Sequence, residues 1–253
     1  MKNLKKFLIT GLACGTMLTG LAGCSKTETG GDTAKADLVE VEVFHGQYSD
    51  LLGDEINSQA YNIGFAIMDD EVKSIGDTLP QTKFTAYNGE VIDTPEGPYV
   101  LEVLGSWCTY CQHLTQEALQ DLLDKGYKVY QYFAYGTKED VDSFYETIGM
   151  EIPEGVVVLL DNAEMDAWLD GYQYTAVPLT IPVDGSNKVT LPHVGYMDSQ
   201  GYQDYLTFAL NSGIAETKVG EETIRDYIQK QVAIQQYIDG LEKIEVPAEI
   251  LNK

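Results

Sequence analysis

The stretch Tyr99-Val100-Leu101-Glu102-Val103-Leu104-Gly105-Ser106-Trp107-Cys108-Thr109-Tyr110-Cys111-Gln112-His113 organises the chain. An apolar run, Tyr99 to Leu104, leads into it. Leu114, Ala118, Leu119, Leu122 and Leu123, at helical spacing, lead out, and Gly126 ends that pattern. Strand, tight turn, two cysteines separated by two residues, then helix: this order is the skeleton of a dithiol redox site. A helix N-terminus offers unpaired N–H groups and the positive end of a dipole. A sulfur placed there is stabilised as thiolate, the attacking species in disulfide exchange.

Outward from this stretch the pattern alternates. Upstream, Lys83 to Tyr87 and Glu90 to Asp93 are short β-prone runs joined by Asn88-Gly89, a hairpin signal, and Pro95 to Pro98 breaks the chain before the strand. Downstream, Lys128 to Tyr135 reads as strand. Lys138 to Ile148 reads as helix, with Val141, Phe144, Tyr145 and Ile148 inward and Gly149 stopping it. Val156 to Leu160 fits a buried parallel strand, Ala163 to Leu169 a brief helix, and Ala176 to Ile181 another strand. Asp184-Gly185 turns that strand into Lys188 to Tyr196, and Ser199 to Leu210 is a helix with Tyr202, Tyr205, Leu206 and Leu210 apolar. The alternation predicts an α/β layer fold with a mostly parallel core ending in an antiparallel hairpin.

Further out the signals change. Leu38 to Phe44 alternates Val39, Val41 and Val43 with Glu40 and Glu42, a half-buried strand. Asp50 to Lys73 is ambiguous, with Tyr61 to Met68 apolar enough for a strand or a buried turn of helix. In the tail, Glu221 to Ile244 carries Ile224, Tyr227, Ile228, Gln231, Ile234 and Ile238 at helical intervals, one long amphipathic helix whose apolar side is expected to pack back on the domain. No internal repeat is present.

The first residues read as a targeting segment. Lys2, Lys5 and Lys6 precede a short apolar stretch, Phe7 to Leu21, interrupted by small residues and short for a membrane span. Leu21-Ala22-Gly23-Cys24 follows and resembles the bacterial lipoprotein cleavage box, with Cys24 the lipidated residue. Residues 1–23 would then be the signal peptide and residues 24–36, small and polar, a flexible tether. Of four cysteines only Cys108 and Cys111 remain as a free pair, which excludes a disulfide-stapled scaffold. Losing residues 1–23 removes three lysines and no acids, taking the net charge from −24 to −27. Such a surface disfavours nucleic acid and is repelled by anionic headgroups, so a membrane tie would be covalent.

Gly76 to Leu210 resembles a thioredoxin-like domain, and within that superfamily is most similar to TlpA-like membrane-anchored thiol-disulfide oxidoreductases. The Gly76-Asp77-x-Leu79-Pro80 opening, the Asn88-Gly89 hairpin, Ser106-Trp107-Cys108-x-x-Cys111, the extra strand and helix before Val177-Pro178, and the lipoprotein signal carry the likeness. It implies a central mixed sheet flanked by helices over residues 75–212, with an N-terminal extension (37–74) and a C-terminal helical extension (213–253). It implies that Cys108 is the nucleophile and Cys111 resolves the mixed disulfide. Val177-Pro178 would be a cis-proline loop facing the cysteines, with Pro182 the competing candidate, and Glu102 a buried acid relaying the proton of Cys111. Trp107, Thr109 and Tyr110 would flank the substrate, the last two setting thiol affinity and hence potential. Thr109-Tyr110 departs from the proline-containing dipeptides common in the family, which leaves the direction of catalysis open. The implied partners are exported proteins carrying disulfides or dithiols and a membrane thiol donor or acceptor. The implied place is the extracytoplasmic face of a bacterial membrane.

Other chemistries fit less well. Cys-x-x-Cys-His would attach a c-type haem, but Gln112 stands before His113. Copper or zinc could use Cys108, Cys111 and one of His45, His113 or His193, yet no two histidines form a ligand-like pair, and copper-delivery relatives space their cysteines by three residues. A peroxidatic site would want a nearby arginine, and the sole arginine is Arg225, in the tail. No cofactor beyond the cysteine pair and no metal is expected. A non-enzymatic lipoprotein with seventeen tyrosines lining a binding groove is the alternative from another class. A structural bridge on a strand-to-helix turn, however, closes almost no loop.

Overall fold

Punctuation in the sequence becomes structure through local hydrogen bonds. The computed structural model describes residues 4–10 and 38–241. Cys24 and the tether lie outside the described residues. The chain divides into two units, residues 1–46 with 233–253, and residues 47–232.

In the first unit β1 (Leu4–Thr10) pairs antiparallel with β2 (Leu38–Phe44), Leu4 opposite Phe44 and Thr10 opposite Leu38. The strand read from Val39, Val41 and Val43 is therefore present. Its partner falls inside the stretch read as a signal segment.

The second unit opens with a 3-10 turn, Tyr48–Leu52, then α1 (Gly53–Asn62) and the short α2 (Asp69–Val72). The ambiguous run from Tyr61 to Met68 is neither a strand nor a buried helical turn: it ends α1 and continues as loop, with Tyr61 and Met68 exposed and only Phe65 buried. The hairpin β3 (Lys83–Thr85) and β4 (Val91–Asp93) forms as expected. Asn88 Oδ1 accepts from the Glu90 N–H at 2.9 Å, and Gly89 takes a φ of +86°, which favours glycine.

The main sheet follows. Its elements are β5 (Tyr99–Leu104), α3 (Thr109–Asp124), β6 (Val129–Phe133), α4 (Lys138–Ile148), β7 (Val156–Leu159), α5 (Ala163–Gly171), β8 (Leu179–Val183), β9 (His193–Val194) and α6 (Ser199–Asn211). The strand order is β7-β6-β5-β8-β9, with β5, β6 and β7 mutually parallel and β8 and β9 antiparallel additions. This is a mixed five-stranded sheet with helices on both faces, the layer architecture that the alternation predicts. β8 starts at Leu179 rather than Ala176, because the residues before it form the Val177-Pro178 cis loop. The returning hairpin is mostly irregular, reduced to a Val183–Val189 bridge and the two residues of β9.

Helix starts follow capping chemistry. Thr137 and Asp140 make a reciprocal box at α4, Asn162 caps α5, and Asp198 caps α6 through the Gly201 N–H at 2.8 Å. At its other end α4 stops where Gly149 turns left-handed. The two faces of the sheet carry separate cores. Leu101, Val103, Tyr132, Leu159, Leu179 and Ile181 pack with Met165 and Leu169 of α5 and Phe84 of β3. Leu104, Phe133 and Val158 pack with Cys111 and with Val141, Phe144, Tyr145 and Ile148 of α4. All four α4 residues expected inward are buried.

Segments beside the sheet are tied in by polar bonds. Glu71 accepts from the Val194 N–H at 3.0 Å and pairs with His193 Nδ1 at 2.8 Å, clasping β9. Beyond α6 come the two-residue strands β10 (Lys218–Val219) and β11 (Glu222–Thr223), then α7 (Ile224–Leu241). Within the second unit Ile224, Ile228 and Gln231 are buried, the apolar side expected of the tail helix. Arg225 reaches Asp77 at 2.9 Å. Among the described residues no helix is long and apolar enough to cross a membrane.

Candidate active site

The β5-to-α3 turn sets two sulfurs in different surroundings. Cys108 is the N-cap of α3 in extended conformation, φ −86° and ψ 110°, and its Sγ accepts from the Cys111 N–H at 3.2 Å. A sulfur thus fills the place that a serine or aspartate oxygen usually takes at a helix start. Its thiol also reaches the Val177 carbonyl at 3.4 Å. Both cysteines are free; Cys108 is partly exposed, and Cys111, one helical turn further, is fully buried. Burial pushes the Cys111 thiol well above the ordinary range, and the Cys108 sulfur and the Glu102 carboxyl push the same way.

The cis peptide lies between Val177 and Pro178, and a second one, unannounced by the sequence pattern, between Gly97 and Pro98. Pro182 sits inside β8 opposite Val100, away from the sulfurs. Around Cys108 the surface is aromatic. Trp107 and Tyr110 are 69% and 64% exposed, which is high for side chains of this size and leaves both rings open to a partner. The indole folds against Gly105, where a Cβ would come within 3.0 Å of the ring. Tyr110 lies 6.1 Å from the Tyr196 ring, and the Tyr196 hydroxyl donates to Glu117. Thr109 is exposed in the first turn, and Val177 packs at the edge of both cores.

Glu102 is buried in the centre of the sheet, 1% exposed. In the strand register it stands between Gln131 on β6 and Thr180 on β8, so three neighbouring strands put polar side chains at one level of an otherwise apolar sheet. Gln131 Nε2 donates to Glu102 Oε2 at 2.8 Å, and the Tyr202 hydroxyl of α6 donates to Oε1 at 2.9 Å. Behind these, Tyr145 of α4 donates to Gln131 Oε1, Gln131 Nε2 lies 3.3 Å from Thr115 Oγ1, and Thr180 Oγ1 is 3.0 Å from the Tyr202 hydroxyl. Burial raises the Glu102 pKa; the hydrogen bonds from Gln131 and Tyr202 pull it partly back. Both oxygens of this buried carboxyl are satisfied, and its charge helps push the Cys111 thiol up.

The structure thus brings Cys108, Trp107, Thr109, Tyr110 and Val177 to one surface, with Cys111 and Pro178 buried behind them and Glu102 buried in the sheet. Gln131, Thr180, Tyr145 and Tyr202 escaped the sequence reading. Gln131 was detectable as the polar residue interrupting an apolar strand; Tyr202 had counted only as part of an apolar helix face. Two of the three histidines considered as metal ligands are engaged elsewhere, His193 with Glu71 at 2.8 Å and His113 with Glu117 at 3.7 Å.

No protein-family model and no curated protein sequence matches the chain. Solved structures do. A putative thiol:disulfide interchange protein DsbE from Chlorobium tepidum is 21% identical, over 53% of this chain and 96% of its own, with a TM-score of 0.42. The thioredoxin domain of a thiol-disulfide oxidoreductase from Bacteroides vulgatus is 18% identical over 53% of this chain and 97% of its own, TM-score 0.43. An exposed lipoprotein thioredoxin from Streptococcus pneumoniae is 18% identical over 51% and 98%, TM-score 0.42.

Proposed function

We propose that the chain is a thiol–disulfide oxidoreductase held by lipid at Cys24 on the extracytoplasmic face of a bacterial cell membrane. The observation that carries the redox reading is the pairing of unlike sulfurs: an accessible Cys108 at the cap of α3, 3.4 Å from the Val177 carbonyl, and a buried Cys111 one turn away. Only one of the two can meet a substrate. The other is held protonated until it is needed.

The reaction runs in two exchanges. Cys108 thiolate attacks one sulfur of a substrate disulfide; that S–S bond breaks, the distal substrate sulfur leaves as thiolate, and a mixed disulfide forms. Cys111 then yields its proton to Glu102 and attacks Cys108 Sγ, expelling the second substrate sulfur. Two electrons have passed to the substrate, and the Cys108–Cys111 disulfide remains for a membrane thiol donor to reduce. Trp107, Thr109, Tyr110, Val177 and Pro178 flank the substrate, the Val177 backbone beside the attacked sulfur. The reducing direction rests on the resemblance to TlpA-like proteins. The mature net charge of −27 favours exported substrates with basic surfaces.

The test is disulfide reduction by the purified protein, with insulin as substrate. Cys108→Ser should abolish it, and Cys111→Ser expressed in the native cell should accumulate mixed disulfides on Cys108. A wild-type protein that neither reduces disulfides nor oxidises thiols overturns the reading. Anchoring is tested apart from catalysis: Cys24→Ser should move the protein from the membrane fraction to the soluble one. Cleavage before Cys24 would also remove β1, leaving β2 without that partner.

A further inference from the structure

We infer that the groove between α2 and the chain leading into the Val177-Pro178 loop is a substrate subsite for a basic side chain, lysine or arginine, two or three residues from the cysteine under attack. The inference rests on the oxidoreductase reading above and gives that reading a class of substrate.

The groove encloses about 280 Å³. Pockets that hold a whole small molecule run to roughly 300–1,000 Å³, so this one suits a single long side chain. One wall is Met68, which precedes α2, with Asp70 of α2. The other is Gln173, Thr175 and Ala176, all three exposed. Buried Tyr174 and Glu71, with half-buried Val194, lie between them. These parts are bonded to one another. Glu71 accepts from the Met68 N–H at 2.9 Å and from the Val194 N–H at 3.0 Å, and Ser74 Oγ lies 2.8 Å from the Tyr174 hydroxyl. The groove is therefore built into the fold.

It also adjoins the dithiol. Ala176 is the residue before Val177, whose carbonyl lies 3.4 Å from Cys108 Sγ. Val194 is the residue before Gly195, whose N–H donates to the Pro178 carbonyl at 2.8 Å. An extended chain advances about 3.3 Å per residue. A polypeptide running from Cys108 past Val177 thus brings its second or third residue over Ala176 and Thr175. The α2 wall lies outside residues 75–212, the span of the thioredoxin-like resemblance, so it is an addition to that domain.

The lining selects the occupant. Met68, Ala176 and Val194 offer apolar surface, and Met68 is 59% exposed, an adaptable thioether open to a partner. Two of the lining residues are acids and none is cationic. A side chain with an apolar stem and a positive end meets both conditions, the stem along Met68 and Ala176 and the head at the Asp70 carboxylate. Lys73 already meets Asp70 at 2.5 Å, but that carboxylate is 72% exposed, and a pair so open to water holds weakly. Glutamate in the groove would face Asp70, and a plain apolar side chain would leave that carboxylate uncontacted.

The experiment uses short glycine–serine peptides with one cysteine in disulfide with an aromatic thiol. A single arginine, leucine, alanine or glutamate stands two or three residues from the cysteine on either side, or at the far end of the peptide. The protein, processed and lipidated at Cys24, is supplied reduced. Cys108 thiolate bonds to the peptide sulfur, and the aromatic thiolate leaves and is read by its absorbance. Cys111 then displaces the peptide thiol, and two electrons have passed from the dithiol to the peptide disulfide. The rate in Cys108→Ser is subtracted.

Arginine two or three residues away, on one side of the cysteine, should raise the second-order rate about fivefold over alanine, the scale of one partly exposed ion pair. Leucine should fall between them and glutamate lowest. Asp70→Asn should bring the arginine-to-alanine ratio toward one, and Asp70→Lys should put glutamate above arginine. Arginine favoured equally at every position means attraction by net charge alone and overturns the subsite. So do leucine ahead of arginine, no preference at all, or a ratio that Asp70→Lys leaves unchanged. In each of these cases exchange still occurs and the oxidoreductase reading stands. If neither these peptides nor insulin reacts, that reading fails and the subsite falls with it.

Discussion

The Glu102 carboxyl and the Tyr202 hydroxyl meet at 2.9 Å across 100 residues of sequence. One belongs to the central strand and the other to the last helix before the tail. Their contact places an ionisable group with a fitted partner at the level of the sheet that lies under the dithiol.

Glu102→Gln should make the protein more stable at neutral pH, while slowing resolution of the mixed disulfide. The folded-state pKa of Glu102 is raised above its usual 4.5 by burial. Below the unfolded value both states are protonated and the carboxyl costs nothing; as pH rises through the folded value, the ionised form loses stability relative to the unfolded chain. Urea unfolding of wild type and Glu102→Gln should therefore agree near pH 4 and diverge toward pH 7, with the variant ahead. Curves that stay parallel across this range contradict it.

The two cysteines should differ sharply toward an alkylating reagent. Cys108 is partly exposed and Cys111 not at all. Brief iodoacetamide treatment of the reduced native protein, processed and lipidated at Cys24, should add one group, mapped to Cys108 by mass spectrometry. The second should appear only in denaturant, or in alkali high enough to ionise a thiol whose pKa burial has pushed far up. Equal labelling of both would remove the asymmetry on which the mechanism depends.

Gly105→Ala should impair turnover more than stability. A Cβ there would lie 3.0 Å from the Trp107 indole, so the ring must shift away from the turn that carries Cys108. The indole is exposed, so the move costs little folding energy. Tryptophan fluorescence should change, and insulin reduction should fall several-fold with the unfolding midpoint nearly unchanged.

Asp77→Ala should destabilise the second unit by about 2 kcal/mol in urea titration, since it leaves three partly buried donors to water or to nothing, and a donor stranded in full costs about 1–3 kcal/mol. Asp77 accepts from Trp168 Nε1 at 3.2 Å, from the Tyr172 hydroxyl at 2.6 Å and from Arg225 at 2.9 Å. Arg225→Ala removes only the ion pair, whose arginine is 35% exposed, and should cost under half as much.

The local features were legible in the residues themselves. β5 spans Tyr99–Leu104 and α4 spans Lys138–Ile148, the ranges read from apolar spacing, and Asn88-Gly89 makes its turn. These depend on residues within a few positions of one another, where side-chain pattern and backbone preference act together. The cysteine pair was legible for the same reason: a sulfur at a strand-to-helix turn needs only its neighbours to find the cap.

What the linear order left open was decided by packing between distant segments. Whether Glu102 faced solvent or the interior depended on the helices over that face of the sheet, from which Tyr202 and Tyr145 reach Glu102 and Gln131, and parity along one strand cannot show that. That Gln131, Thr180 and Tyr202 converge on it follows from strand register and from the way α6 crosses the sheet, and each looked unremarkable in its own segment. Sequence alone determined that this chain carries a Cys-x-x-Cys pair on a turn between strand and helix. Only the tertiary structure decided which sulfur is open, which is buried, and what lies beneath them, because burial is a property of what folds over a residue rather than of the residue.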